Sequence, residues 1–175
     1  YGTDTELLVR ALDDVNLELR YDGEGLQHMI LNGSDVTEEI RTPEMSRVAS
    51  LISAQPAVRA FLLDLQRDMA KRYSVMMDGR DIGTVVLPGA DVKVYLTASP
   101  EVRARRRLGD LEAQGLTVSY EQVLEEIRQR DHQDMTRSIA PLKQAKDAVV
   151  LDTSSLNQEE SLAALKAIVE ERIAR

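Results

Sequence analysis

The sequence predicts an α/β protein built on a parallel sheet, with a small antiparallel lobe near its start. Three observations predict it. Short apolar runs at residues 74–77, 92–96 and 148–151 read as strands buried on both faces. Amphipathic helical segments alternate with these runs, the order that sets strands side by side in parallel. Between residues 17 and 36 the texture changes to period-two alternation broken by tight turns, the mark of antiparallel hairpins.

Taken in order, Thr3-Asp4-Thr5-Glu6 reads as a capping box, and Leu7, Leu8, Ala11, Leu12 and Val15 form one apolar helical face. Leu17 to Tyr21 and Gln27 to Leu31 alternate around the turn Asp22-Gly23-Glu24-Gly25. Asn32-Gly33 is a second tight turn, with a third short strand expected from Val36. Thr42-Pro43 starts a helix reaching about Ala54. Pro56 starts another, with Val58, Phe61, Leu62, Leu65 and Met69 facing inward. Ser99-Pro100-Glu101 opens a helix that Gly115 stops, and Ser119 to Gln122 caps the next. A last helix, residues 158–174, carries Leu162, Leu165, Ile168, Val169 and Ile173 on its apolar face.

Composition narrows the function classes. Apolar residues make up 43% of 175, enough for a core, but aromatics are only 3%, so that core is aliphatic. With no Cys there are no disulfides and no thiolate sites, and two His leave little for a His-based metal site. No apolar run approaches the roughly 18 residues of a membrane span. A soluble, cytoplasmic protein is expected, without a signal peptide. Tyr1 is not an initiator Met, so a segment upstream is expected to have been removed or omitted. The net charge of −8 argues against generic nucleic-acid binding. Yet Arg103, Arg105, Arg106, Arg107, Arg128, Arg130 and Arg137 fall within 35 residues. They form either a solvated helical face or a site for a small anionic ligand.

In parallel sheets ligands sit beyond the carboxyl ends of the strands. That rule selects Asp78-Gly79-Arg80-Asp81, Thr97-Ala98-Ser99 and Asp152-Thr153-Ser154. Within Asp78 to Thr84, Asp78 can hold the hydration shell of Mg²⁺, Arg80 offers a planar fork for phosphate oxygens, and Asp81 can accept from a base or sugar. A plain strand-end turn explains the same residues. Arg130, Asp134 and Arg137 are spaced by four and three, which places them on one helical face if the helix persists that far. They are either an exposed ion-pair ladder or a clamp of two cations for a monophosphate and one carboxylate for sugar hydroxyls. Arg103 and Arg107 share a face, and mobile Arg residues there could stabilise a phosphoryl group in transfer. Ser50 and Arg59, on either side of Pro56, could read the edge of a base; nothing local favours this over surface chemistry.

These pieces in this order resemble the cytidylate kinase family, from roughly Leu7 to Ala174. Three segments carry the likeness: Glu39-Ile40-Arg41-Thr42-Pro43-Glu44; Asp78-Gly79-Arg80-Asp81-Ile82-Gly83-Thr84-Val85-Val86; and Arg130-Asp131, Asp134 and Arg137 followed by Ala140-Pro141-Leu142 and Leu151-Asp152-Thr153. The resemblance implies a three-layer phosphate-loop nucleotide-kinase fold with a parallel sheet, a helical lid and a small antiparallel CMP-binding insert. It divides the chain into a core (1–16 and 43–98), the insert (17–42), the lid region (99–137) and a C-terminal strand and helix (138–175). It implies that Ser50, Arg59 and Asp81 read cytosine, that Arg130 and Asp134 hold the ribose, and that Arg80 and Arg137 hold the CMP phosphate. Arg103 and Arg107 would lie in or beside the lid over ATP and, with Arg80 and Arg137, act on the phosphoryl group in transfer. Asp152 and Thr153 would lie near the adenine, and Asp78 would meet Mg²⁺ through water. The implied reaction makes CDP or dCDP from CMP or dCMP with ATP and Mg²⁺ in a monomer, with no nucleic-acid or membrane partner.

The family's Gly-x-x-x-x-Gly-Lys-Ser/Thr loop, which cradles the ATP phosphates, does not occur in this sequence. The resemblance implies that a strand and loop upstream of Tyr1 complete the enzyme, that strand lying centrally between the strands that end at Met77 and Leu96. Two other readings stand beside the kinase: an inactive CMP-binding module without the loop, and a fragment whose central strand comes from another chain.

Overall fold

Residues 5–53 and 55–174 are described by the structure, a computed structural model. They divide between two units, Tyr1–Val75 and Met76–Arg175.

In the first unit α1 (Thr5–Asp13) packs against α3 (Pro56–Arg72). The capping box expected at Thr3 and Asp4 lies outside the described residues. β1 (Leu17–Tyr21) and β2 (Gln27–Leu31) pair antiparallel, Leu17 opposite Leu31, as the alternation predicts. Asn32 and Gly33 both have positive φ, +50° and +83°, which gives the two-residue hairpin turn that matches strand twist. Because that turn returns at once, β3 is Ser34–Asp35, paired with Leu31 and Ile30, and not the strand expected from Val36. Asn32 Oδ1 also accepts the Asn16 amide at 2.7 Å, fastening the hairpin base. A 3₁₀ turn, Glu39–Arg41, precedes α2 (Pro43–Ile52), whose start is capped by Thr42 Oγ1 accepting from the Met45 amide. The helix ends short of Ala54, which lies outside the described residues. On α3, Val58 is buried and Phe61, Leu62, Leu65 and Met69 are half-buried, the face predicted.

The strand predicted at residues 74–77 does not form. The segment has no regular secondary structure, with Val75 41% and Met76 90% exposed. A strand needs a neighbour to take its N–H and C=O groups, and among the described residues none pairs with it.

In the second unit β4 (Val94–Thr97) and β5 (Val149–Asp152) form a parallel pair, Val94 opposite Val149 and Thr97 opposite Asp152. Each is set one or two residues later than its apolar run. Leu96 and Val150 are 60% and 51% exposed, so the two strands are not covered on both faces as predicted. α4 (Pro100–Ala113) is capped by Ser99, and α5 (Tyr120–Thr136) by a Ser119–Gln122 capping box. The two helices pack around fully buried Ala104, with Leu111 and Val123, and Leu108, Leu124 and Ile127 close against them. α6 (Gln158–Ile173) begins with an Asn157–Glu160 capping box. Its Leu165, Ile168 and Val169 are half-buried, but Leu162 and Ile173, predicted inward, are exposed.

Candidate functional site

The site is built from the bend at residues 78–86 and from the end of α5. Gly79 has φ +158°, and a Cβ there would stand 2.9 Å from Ile82 Cγ1, so the bend needs glycine. Beyond it, Ile82–Val86 is a single π-helical turn. The Asp81 carbonyl accepts from the amides of Val85 at 2.8 Å and Val86 at 3.2 Å. π-turns of this kind are concentrated at functional sites. They fix Arg80 and Asp81 side by side at the start of the turn.

The end of α5 supplies the other half. The helix stops at Thr136, and Arg137 is its C-cap, with φ −57° and ψ 142°. The one-face expectation therefore fails at Arg137, which has left the helix. The turn nevertheless brings Arg137 beside Asp134. Arg80 Nε donates to Asp134 Oδ2 at 2.8 Å. Arg137 Nη1 lies 4.0 Å from Asp134 Oδ1, and its Nη2 lies 3.5 Å from Asp81 Oδ1. Arg137 Nε donates to the Ala140 carbonyl at 2.7 Å. Two cations and two carboxylates thus gather from two points of the chain, the bend and the end of α5. Asp81, Asp134 and Arg137 are 12%, 15% and 20% exposed, while Arg80 is more open at 43%. Arg137 Nη2 is buried and has no hydrogen-bond partner. A buried guanidinium N–H without a hydrogen bond is costly even with the Asp81 carboxylate 3.5 Å away, so this donor suits the closer oxygen of an anion.

The remaining predicted residues fall elsewhere. Arg130 is exposed and makes no ion pair or hydrogen bond among the described residues, so it is not drawn into the cluster. Arg103 is held by α5: Nη1 and Nη2 donate to Asp131 Oδ1 and Oδ2 at 2.8 and 2.6 Å, and Nε to the Ala98 carbonyl at 2.9 Å. That carboxylate raises the Arg103 pKa, and the fork is filled. Arg107 is exposed and makes no such contact among the described residues. Arg106, noted in the sequence only as part of the Arg run and given no role, clamps the loop after β5, donating to the carbonyls of Thr153 at 2.6 Å and Leu156 at 2.9 Å. Its contact 47 and 50 positions away left no local signal.

Thr153 is 5% exposed, its amide and hydroxyl both donating to the Thr97 carbonyl across the ladder. Asp152 accepts from the Ser154 hydroxyl and amide at 2.6 and 2.8 Å, which lowers its pKa. Asp78 is exposed. Among the described residues no group of three His, Cys, Asp or Glu is arranged to hold a metal ion. Ser50 lies on α2, its side chain outside what the structure describes. Arg59 lies on α3, half-buried, with Nη1 donating to the Ser53 carbonyl at 3.4 Å.

Comparison with known proteins gives a consistent picture. The model of a family described as cytidylate kinase matches residues 2–171. The cytidylate kinase of Carboxydothermus hydrogenoformans is 48% identical over 160 residues, 91% of this chain and 72% of the relative. That of Caldicellulosiruptor saccharolyticus is 46% identical over 161 residues, 92% of this chain and 71% of the relative. That of Mycobacterium leprae is 53% identical over 143 residues, 81% of this chain and 64% of the relative. The chain therefore spans between 64% and 72% of the length of these relatives.

Proposed function

This chain belongs to the cytidylate kinase family, a family of phosphotransferases, and from that premise we propose that the protein moves the γ-phosphoryl group of ATP to CMP and dCMP, giving CDP and dCDP. The observation that carries this reading is Nη2 of Arg137, buried without a hydrogen bond beside the carboxylates of Asp81 and Asp134, in the cluster that includes Arg80. The two guanidinium groups hold the CMP phosphate, and the carboxylates keep them oriented while it is absent. Asp134 also serves the ribose with Arg130, and Asp81 serves cytosine with Ser50 and Arg59.

Phosphoryl transfer is chiefly positioning and charge neutralisation. Arg80 and Arg137 supply both on the acceptor side. Mg²⁺ neutralises charge on the donor phosphates, and Asp78 meets it through water. Residues 17–42 act as the CMP-binding insert. Residues 99–137 act as the lid, with Arg107 exposed on its surface and Arg103 bracing its two helices. The loop of Asp152 and Thr153, clamped by Arg106, lines the adenine side. The protein acts as a cytoplasmic monomer on small-molecule substrates. Among the described residues no helix is long and apolar enough to cross a membrane.

The test is a substrate panel with the full-length protein. ATP is supplied with CMP, dCMP, UMP or AMP, and nucleoside diphosphate formation is followed by ³¹P NMR. CDP and dCDP should form fastest. Faster turnover of AMP would refute the base assignment of Ser50, Arg59 and Asp81.

A further inference from the structure

Ala140 has φ +47°, in the left-handed region, although it carries a Cβ and precedes Pro141. A following proline pushes a residue toward extended conformations, and a non-glycine residue in the left-handed region is strained. Such strain persists only where surrounding contacts hold it, and it gathers at functional sites. Here the contacts tie the segment back to the last turn of α5. The Ala140 carbonyl accepts from Arg137 Nε at 2.7 Å, and the Leu142 amide donates to the Asp134 carbonyl at 2.8 Å. Both partners belong to the cluster of Arg80, Asp81, Asp134 and Arg137.

We propose that Ala140 is a positioning residue for the phosphate clamp: its left-handed backbone aims the carbonyl at Arg137 Nε and so fixes the plane of the guanidinium, leaving the Nη edge for the substrate phosphate. The inference rests on the reading of Arg137 as a phosphate contact. A guanidinium is planar, so a bond at Nε sets the direction of both Nη groups. Those groups are the pair suited to two phosphate oxygens. Nη2 is buried and makes no hydrogen bond, with Asp81 Oδ1 3.5 Å away, as an edge that an anion's oxygens could complete would be. Holding the side chain in place before the ligand arrives removes an ordering cost from binding. Ala140 does this without touching substrate.

The experiment is calorimetric titration of the full-length protein with CMP and, separately, with cytidine. Wild type should bind CMP more tightly than cytidine. Ala140→Val, which strongly disfavours the left-handed region, should weaken CMP binding about tenfold or more and leave cytidine affinity unchanged. Ala140→Gly, which enters that region freely, should keep the wild-type ratio within about twofold. A wild-type ratio in Ala140→Val would overturn the proposal. Equal binding of CMP and cytidine by wild type would instead overturn the underlying phosphate reading. Should Ala140→Val not fold, solvent exchange of the Arg137 Nε proton in wild type decides. Slow exchange, unchanged by CMP, is expected; fast exchange would overturn the proposal.

Discussion

The guanidinium of Arg80 donates from Nε to Oδ2 of Asp134 at 2.8 Å, joining the bend at Gly79 to a helix end 54 positions away. Asp134 also faces Arg137, so one carboxylate orients both cations of the proposed clamp. Asp134→Ala should therefore raise the KM for CMP about tenfold, the worth of one charge-assisted contact, and leave the KM for ATP unchanged. Steady-state kinetics with each substrate varied in turn checks this. An equal rise in both would assign Asp134 to the stability of the unit as a whole.

Gly79 and Gly83 give a paired stability test. A Cβ at Gly79 meets Ile82 Cγ1 at 2.9 Å in a backbone conformation suited to glycine, while a Cβ at Gly83 meets nothing nearer than Lys93 Cδ at 3.5 Å. Gly79→Ala should cost about 1–3 kcal/mol, and Gly83→Ala less than about 1 kcal/mol. Denaturant unfolding measures both. Comparable losses would contradict a specific need for glycine at the bend.

Arg103 and Asp131 brace α4 against α5, with Arg128 and Glu101 as a second, more exposed pair at 2.9 Å. Arg103 is about a third exposed, so its pair is discounted for solvent. Asp131→Asn should destabilise by about 1 kcal/mol. Because the Arg103 fork is occupied, the same change should leave the CMP KM near wild type. A large change in KM without loss of stability would return Arg103 to a direct role at the substrate.

The antiparallel lobe should be sensitive to pH. His28 Nδ1 lies 2.7 Å from Asp35 Oδ2 and Nε2 lies 3.4 Å from Asp22 Oδ2, and these contacts, Asp35 first, raise the His28 pKa above 6.5. Asp35 accepts from the Thr37 hydroxyl and amide, which, with His28, hold it down at about 2. A raised His contributes stability that is full below about pH 6.5 and lost as pH rises through its folded value. The lowered Asp35 contributes above about pH 3.8 and loses its contribution as pH falls through about 2. Amide exchange in β1 and β2, corrected for intrinsic rates, should show more protection at about pH 6 than at about pH 8. His28→Gln should remove the difference. Equal protection in wild type at both values would contradict the pairing.

Much of this molecule is legible in local sequence, because caps and tight turns are local chemistry. Thr42, Ser99 and Ser119 each mark a helix start, and Asn32-Gly33 marks its hairpin turn. The heptad Asp78 to Thr84 and the Arg130, Asp134, Arg137 spacing located the cluster. What escaped depends on partners far away in sequence. Residues 74–77 have strand composition but no neighbour to pair with among the described residues. The Arg103 fork is filled from α5, and Arg106 reaches carbonyls beyond β5; neither contact follows from helix periodicity. Arg130 shares a spacing with Asp134 and yet stands outside the cluster, since spacing fixes a face and not a contact. The π-turn at Ile82–Val86 has no composition signal of its own.

The most direct test of the account is the steady-state kinetics of Arg137→Ala with CMP as the varied substrate. Loss of its charge-assisted phosphate contact should cost about 1.5–3 kcal/mol of transition-state stabilisation, lowering kcat/KM roughly tenfold to a hundredfold through both a higher KM and a lower kcat. Unchanged kinetics would place Arg137 among ordinary ion pairs and contradict the clamp.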